Sequence, residues 1–175
     1  LHLHIRKAQG TRYKYDPRWL ATNRTAFLFG HQTRDNVFWT LVSGGIIAAA
    51  YESLMFWLYA NDAIFEVAWS DGAWYIVALA LAMWFIEGVH FYLNHRLLHW
   101  DPLYKVAHSL HHKNVNTGPW SGIAMHPLEH LVYFSTPLVF LVIPAHPFLV
   151  TLTLIYLVLS PAPSHSGFDR LVLPG

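Results

Sequence analysis

Between His95 and His112 the chain reads HRLLHWDPLYKVAHSLHH, with five histidines in one short stretch. His95 and His99 stand at i, i+4; His108, His111 and His112 stand at i, i+3 and i+4. Residues three and four apart share a helical face, so each group offers a comb of imidazoles pointing one way. Neutral imidazole is the commonest protein metal ligand and suits iron, zinc, copper or nickel. One histidine here would read as part of a solvated turn. Five at these spacings read as a metal site.

Other polar residues fall into step with this group. Glu87, Phe91, His95 and His99 follow one another at intervals of four, so one helix face carries all of them. Glu87 then lies below the histidines, either accepting an imidazole N–H or making a polar contact between helices. His126 and His130 form another i, i+4 pair around Pro127 and Glu129, and His165-Ser166-Gly167-Phe168-Asp169 brings a late histidine. His2 and His4, alternating with Leu1, Leu3 and Ile5, form a short strand or no element, and are too remote in sequence to be good ligands.

The elements that must position these residues are apolar. Hydrophobic residues make up 54% of the 175 and charged residues 12%, about half the charged share of a soluble domain. The apolar residues are bunched into runs, which is the pattern of a membrane protein. A net charge of +1 gives no bulk field for nucleic acid, and the absence of cysteine excludes disulfides, thiolate zinc and iron–sulfur sites.

Val37 to Ala60 and Ala73 to Leu93 are each long enough to cross a hydrocarbon core, which needs about 20 helical residues. Gly44 and Gly45 let another helix approach the first run. Glu52 inside it is either a functional carboxylate or one hydrogen-bonded to a neighbouring helix. Trp100-Asp101-Pro102 breaks the chain after His99, and a second helix carries Tyr104 to His112. Asn114 to Gly122 is a loop. The last run, Leu128 to Ser160, is interrupted by Pro144-Ala145-His146-Pro147 into arms of about 16 and 14 residues, too short to cross singly, so it dips in and returns, with a kink at Pro137.

All eleven Lys and Arg residues lie in 1–36, 94–127 and 161–175, and none in the loop 61–72 or the turn 144–147. Two crossings and a returning hairpin place those three segments on one side, and the positive-inside rule makes that side cytosolic. The aromatic residues Tyr13, Tyr15 and Trp19 among the N-terminal cations suit lipid headgroups. The predicted fold is an all-α integral membrane protein with about four membrane-embedded helices, two spanning plus a hairpin, under a cytosolic histidine-rich helical cap. Residues 1–36 are a basic cytosolic or interfacial segment.

The order HRLLH, LYKVAHSLHH, HPLEH and HSGFD resembles the fatty acid hydroxylase / sterol desaturase superfamily of membrane oxygenases, over roughly residues 85–170. The resemblance implies two iron ions, with zinc as a substitute in a purified sample, and O2 as co-substrate for hydroxylation or desaturation of a lipid C–H bond of sterol or fatty-acyl type. It implies His95, His99, His108, His111, His112 and His165 as metal ligands, with His126 and Glu129 in support; His130 and Glu87 join the supporting candidates by their spacing alone. It further implies an external electron donor of cytochrome b5 or ferredoxin type, a lipid substrate and no nucleic acid. The location is the endoplasmic reticulum in a eukaryote and the inner membrane in a bacterium. The superfamily's last histidine box has no counterpart before Gly175, so residues 37–175 are expected to be a hydroxylase/desaturase domain that continues further and is inactive or incompletely metallated as it stands. Two other readings compete: a non-catalytic metal-binding membrane relative, and a haem-binding membrane electron carrier with axial histidines inside its spanning helices.

Overall fold

A computed structural model of the chain describes residues 14–16, 18 and 24–168. His2, His4, Arg6, Lys7, Arg12, Tyr13, Trp19 and Asp169 lie outside the described residues. Those described are helical, with no strand among them beyond the isolated pairings of Lys14 with Phe168 and Glu66 with Ala145.

Two helices are long and apolar enough to cross a membrane, α1 (Gln32–Ala60) and α2 (Trp69–Leu98). Their most apolar stretches are only 11% and 22% buried within the chain. A core helix of a soluble domain hides its apolar residues, whereas these present Ile46, Trp57, Trp74 and Phe85 outward, as helices facing lipid do. Both run beyond the apolar runs that announce them, because polar residues at their ends continue the helix. His31 starts α1 by accepting the amide of Thr33 on its Nδ1 at 3.2 Å. A π turn at Trp39–Gly44 interrupts the α1 ladder where Gly44 lies against His130.

Helix α2 ends at His99, and the break falls at Trp100, whose backbone is extended. Pro102 does not follow the break as a mere stop signal. It occupies the first turn of α3 (residues 101–112), where its missing N–H is no loss. Within α3 a π turn, Tyr104–His108, leads into Ser109–His112.

After the loop 113–126 comes α4 (Pro127–Tyr133), then a 3-10 turn at Thr136–Leu141, and finally α5 (Phe148–Ser164). The first arm expected from Leu128 onward is therefore not one kinked helix. Ser135 returns its hydroxyl to the Val132 carbonyl, and Pro137 has no N–H to continue an α ladder, so the chain tightens instead. Met55 and Tyr59 of α1, Ile76, Leu79 and Met83 of α2, and Leu149, Val150, Leu154 and Leu157 of α5 bury one another with Phe134 and Phe140. Between α1 and α5, Thr151 donates to Glu52 at 2.6 Å, which makes Glu52 an inter-helix contact.

Contacts sort to two ends. Val67 and Ala145 join the loop after α1 to the turn before α5 through an amide–carbonyl bond of 3.3 Å. At the other end, Gln32 donates to Asn114 and to the Asn116 carbonyl, Lys14 donates to Asn116, and the Tyr15 amide donates to Gly167. Lys113 pairs there with buried Asp35 at 2.9 Å, tying the start of α1 to the residue after His112.

Candidate metal centre

Four histidines from two helices meet at that second end. The possible ligand atoms of His95, His99, His108 and His112 all lie within 4.8 Å of one another. His95 and His99 reach the group from the last turn of α2, Nε2 to Nε2 at 3.2 Å, and His108 and His112 from α3 at 3.0 Å. The break at Trp100 folds α3 back so that the two i, i+4 pairs confront each other edge to face, with ring centroids 4.7 Å apart for His95–His108 and for His99–His108.

His108 is fully buried, and its Nδ1 lies 2.7 Å from Glu129 Oε1, which is 2% exposed. A carboxylate accepts only, so the ring donates from Nδ1 and its Nε2 lone pair is left facing the other three histidines. Tyr104 closes the outer side, its ring stacked on His99 at 5.8 Å and within 6.0 Å of His108 and His112. Nothing in the metal-ligand spacing singled out Tyr104, although its position four residues before His108 puts it on the same face.

His111 departs from the comb. Residues 111 and 112 diverge by about 100° around a helix axis, so His111 turns away from His112 toward the tail. Its ring lies 5.7 Å from that of His108 and 5.5 Å from that of His165. The His165 Nδ1 lies 3.0 Å from the Pro161 carbonyl, to which it donates, leaving Nε2 without that proton. Burial, then the neighbouring His165, His108, His112 and His95, pushes the His111 pKa down to about 3. Burial, then His108 and His99, likewise lowers that of His112. Both rings are held in the neutral form that ligates.

These residues fit a metal ion. The His95 group supplies four imidazole nitrogens in one small sphere, and His111 Nδ1 is buried with no hydrogen-bond partner. Beside the histidines, Glu87, Phe91, Met125 and Tyr133 line a cavity of about 200 Å³ that His95, His111 and His165 also border. Two glycines mark close approaches here, Gly122 in the cavity wall and Gly167 two residues after His165. A Cβ on Gly122 would stand 2.7 Å from Pro161, and one on Gly167, whose φ is +85°, would stand 2.7 Å from the Thr117 carbonyl.

The remaining expected residues sit apart from the ligand cluster. His126 caps α4, its Nδ1 accepting the Leu128 amide. His130 donates from Nε2 to the Ile123 carbonyl at 2.9 Å and accepts Ser43 Oγ on Nδ1 at 2.8 Å, so both nitrogens are spent on clamping α4 to α1. Glu87 is buried and accepts no imidazole N–H among the described residues.

The sequence profile described as fatty acid hydroxylase matches residues 77–174, which take in both helices of the centre, Glu129 and His165. The chain is 34% identical to the human fatty acid hydroxylase domain-containing protein 2 over 105 residues, 58% of this chain and 31% of that protein. It is 44% identical over 71 residues to a Delta(7)-sterol 5(6)-desaturase of Eremothecium gossypii, and 39% identical over 75 residues to one of Gibberella zeae. Those stretches cover 37% and 43% of this chain, and 20% and 21% of the fungal proteins. The chain thus spans about a third of the length of the human relative it matches and about a fifth of the fungal ones. No solved structure matches it. With the profile covering more than half of its residues and resting on the histidines described above, the chain belongs to the fatty acid hydroxylase family.

Proposed function

We propose that this chain carries a membrane-embedded, histidine-bound metal centre of an O2-dependent oxidoreductase that hydroxylates or desaturates an aliphatic C–H bond of a lipid. The convergence of six histidines at one end of two apolar helices, next to a cavity, carries this reading. Iron bound there would supply the redox chemistry that lets dioxygen and two electrons attack an unactivated C–H bond.

His95, His99, His108 and His112 would hold one ion, and His111 with His165 would contribute to a second. Glu129 holds the proton on His108 Nδ1, and the Pro161 carbonyl holds that on His165 Nδ1, so both rings present Nε2. Phe91, Met125 and Tyr133 exclude water and grip an alkyl segment, whose lack of polar handles makes positioning the source of selectivity. Electrons come from a separate carrier of cytochrome b5 or ferredoxin type. Lys14, Arg18, Lys105 and Lys113 lie with the histidines, whereas Asp62 and Glu66 lie in the loop at the other end. The positive-inside rule turns the histidine end to the cytosol, at the endoplasmic reticulum of a eukaryote or the inner membrane of a bacterium.

Two measurements on the complete reading frame test this. Metal analysis of the folded, detergent-extracted protein should find iron, or zinc acquired during purification. Lipid profiles of expressing cells should change, and His111→Ala with His112→Ala should reverse the change. A folded protein free of transition metal ends the proposal, and a Soret band would select a haem carrier instead. Bound metal with unaltered lipids selects the non-catalytic relative.

A further inference from the structure

His165 follows α5 on a tail whose own bonds are local. Its amide and Nδ1 donate to the Pro161 carbonyl, and the Ser166 amide donates to that of Pro163. His165 meets His111 ring to ring, with centroids 5.5 Å apart. Among the described residues, one hydrogen bond ties 165–168 to another part of the chain: the Tyr15 amide donates to the Gly167 carbonyl at 3.1 Å. Lys14 pairs with Phe168 in the same antiparallel bridge.

Lys14 in turn fixes the segment that makes this bond. It is 7% exposed, and its ammonium donates to the carbonyls of Asp16 at 2.6 Å and Arg18 at 3.3 Å and to Asn116 Oδ1 at 3.0 Å. Three donors meet three acceptors, so the ammonium is satisfied. Asn116 donates its side-chain amide to the Arg18 carbonyl at 2.8 Å, and its backbone carbonyl accepts Gln32 Nε2 at 2.6 Å. Contacts thus run from the first turn of α1 through Asn116 and Lys14 to the tail that bears His165.

We infer that residues 14–18 form a strap that sets His165 against His111, with Lys14 as its positioning residue. This rests on the reading of His111 and His165 as ligands of a second ion, and adds to the centre a residue from outside the 77–174 that match the family. Lys14 touches neither histidine; its effect passes through Tyr15 and Gly167. A surface segment held by one backbone bond opens at little cost once that bond is lost. A metal–nitrogen bond is about 2 Å long, so a tail that drifts by as much takes its imidazole out of reach. Lysine suits the place because its three acceptors surround one nitrogen, a compact arrangement that a planar guanidinium does not match.

Because Tyr15 donates to Gly167, Lys14 and Phe168 form the non-hydrogen-bonded kind of antiparallel pair, with Cα atoms about 4.5 Å apart and within reach of a disulfide. The test compares the complete protein, Lys14→Cys, and Lys14→Cys with Phe168→Cys, the last both reduced and oxidised. In metal-free samples Lys14→Cys should speed hydrogen exchange at the bonded amides of Tyr15, His165 and Ser166 by roughly 10- to 150-fold, the worth of a hydrogen bond from a charged donor. The oxidised pair should restore protection, and reduction should remove it again. In loaded samples chelator competition should show the ion at His111 and His165 weakened by roughly 10- to 100-fold in Lys14→Cys and recovered in the oxidised pair, with the four-histidine group retained. Unchanged exchange in Lys14→Cys overturns the inference, as does a pair that forms no disulfide or an oxidised pair that does not recover. Faster exchange with metal affinity at the wild-type level also overturns it, and leaves the oxidoreductase reading intact. Strap-dependent exchange in a protein that binds no transition metal fails the oxidoreductase reading alone.

Discussion

His108 Nδ1 and Glu129 Oε1 are 2.7 Å apart with both side chains almost wholly buried, which joins the first turn of α4 to the histidine cluster. The pair fixes one imidazole's tautomer and aims its Nε2 at three others. Glu129→Gln can present an amide N–H to Nδ1 in place of an acceptor. We expect a loss of roughly 10- to 100-fold in metal affinity, the usual effect of removing such a partner. Competition with a graded chelator series checks it, and unchanged affinity would mean Glu129 is only packing.

Acid should destabilise the metal-free protein through His111. Its pKa is about 3 when folded, against 6.5 for an ordinary histidine, so between those values the unfolded chain binds the extra proton. Stability therefore rises with pH across that window and levels off above it. Thermal melts in chelator from pH 4 to 7.5 should show the slope, and His111→Phe should reduce it, leaving the part that His112 contributes.

His130 should behave as a strut. His130→Phe removes its bonds to Ser43 and Ile123 and leaves a buried carbonyl unpaired, a cost of about 1–3 kcal/mol. The melting temperature should fall while metal per folded chain stays at the wild-type level. A loss of metal at unchanged melting temperature would make His130 a ligand.

Gly122→Ala should separate the two parts of the centre. The new Cβ meets Pro161, whose carbonyl orients His165, so the tail must shift. We expect weaker metal binding at the His111–His165 pair with the four-histidine group retained. Elemental analysis combined with spectroscopic titration of the loaded protein reads this, and equal loss at both would reject the assignment.

By itself the sequence determined the helical pairing of His95 with His99 and of His108 with His112, and the two apolar lengths that carry them. These are local facts: helix geometry fixes i, i+4 neighbours, and apolar length selects for lipid. Helix geometry turns His111 away from His112, but only the tertiary structure decided that His165 meets it there, because that contact needs the tail after α5 to return beside α3. It also decided that His130, spaced like a ligand, spends both nitrogens on carbonyl and hydroxyl partners, and that Glu87 faces a cavity and not an imidazole. Such assignments depend on what lies opposite each side chain, and the opposing groups come from positions dozens of residues away.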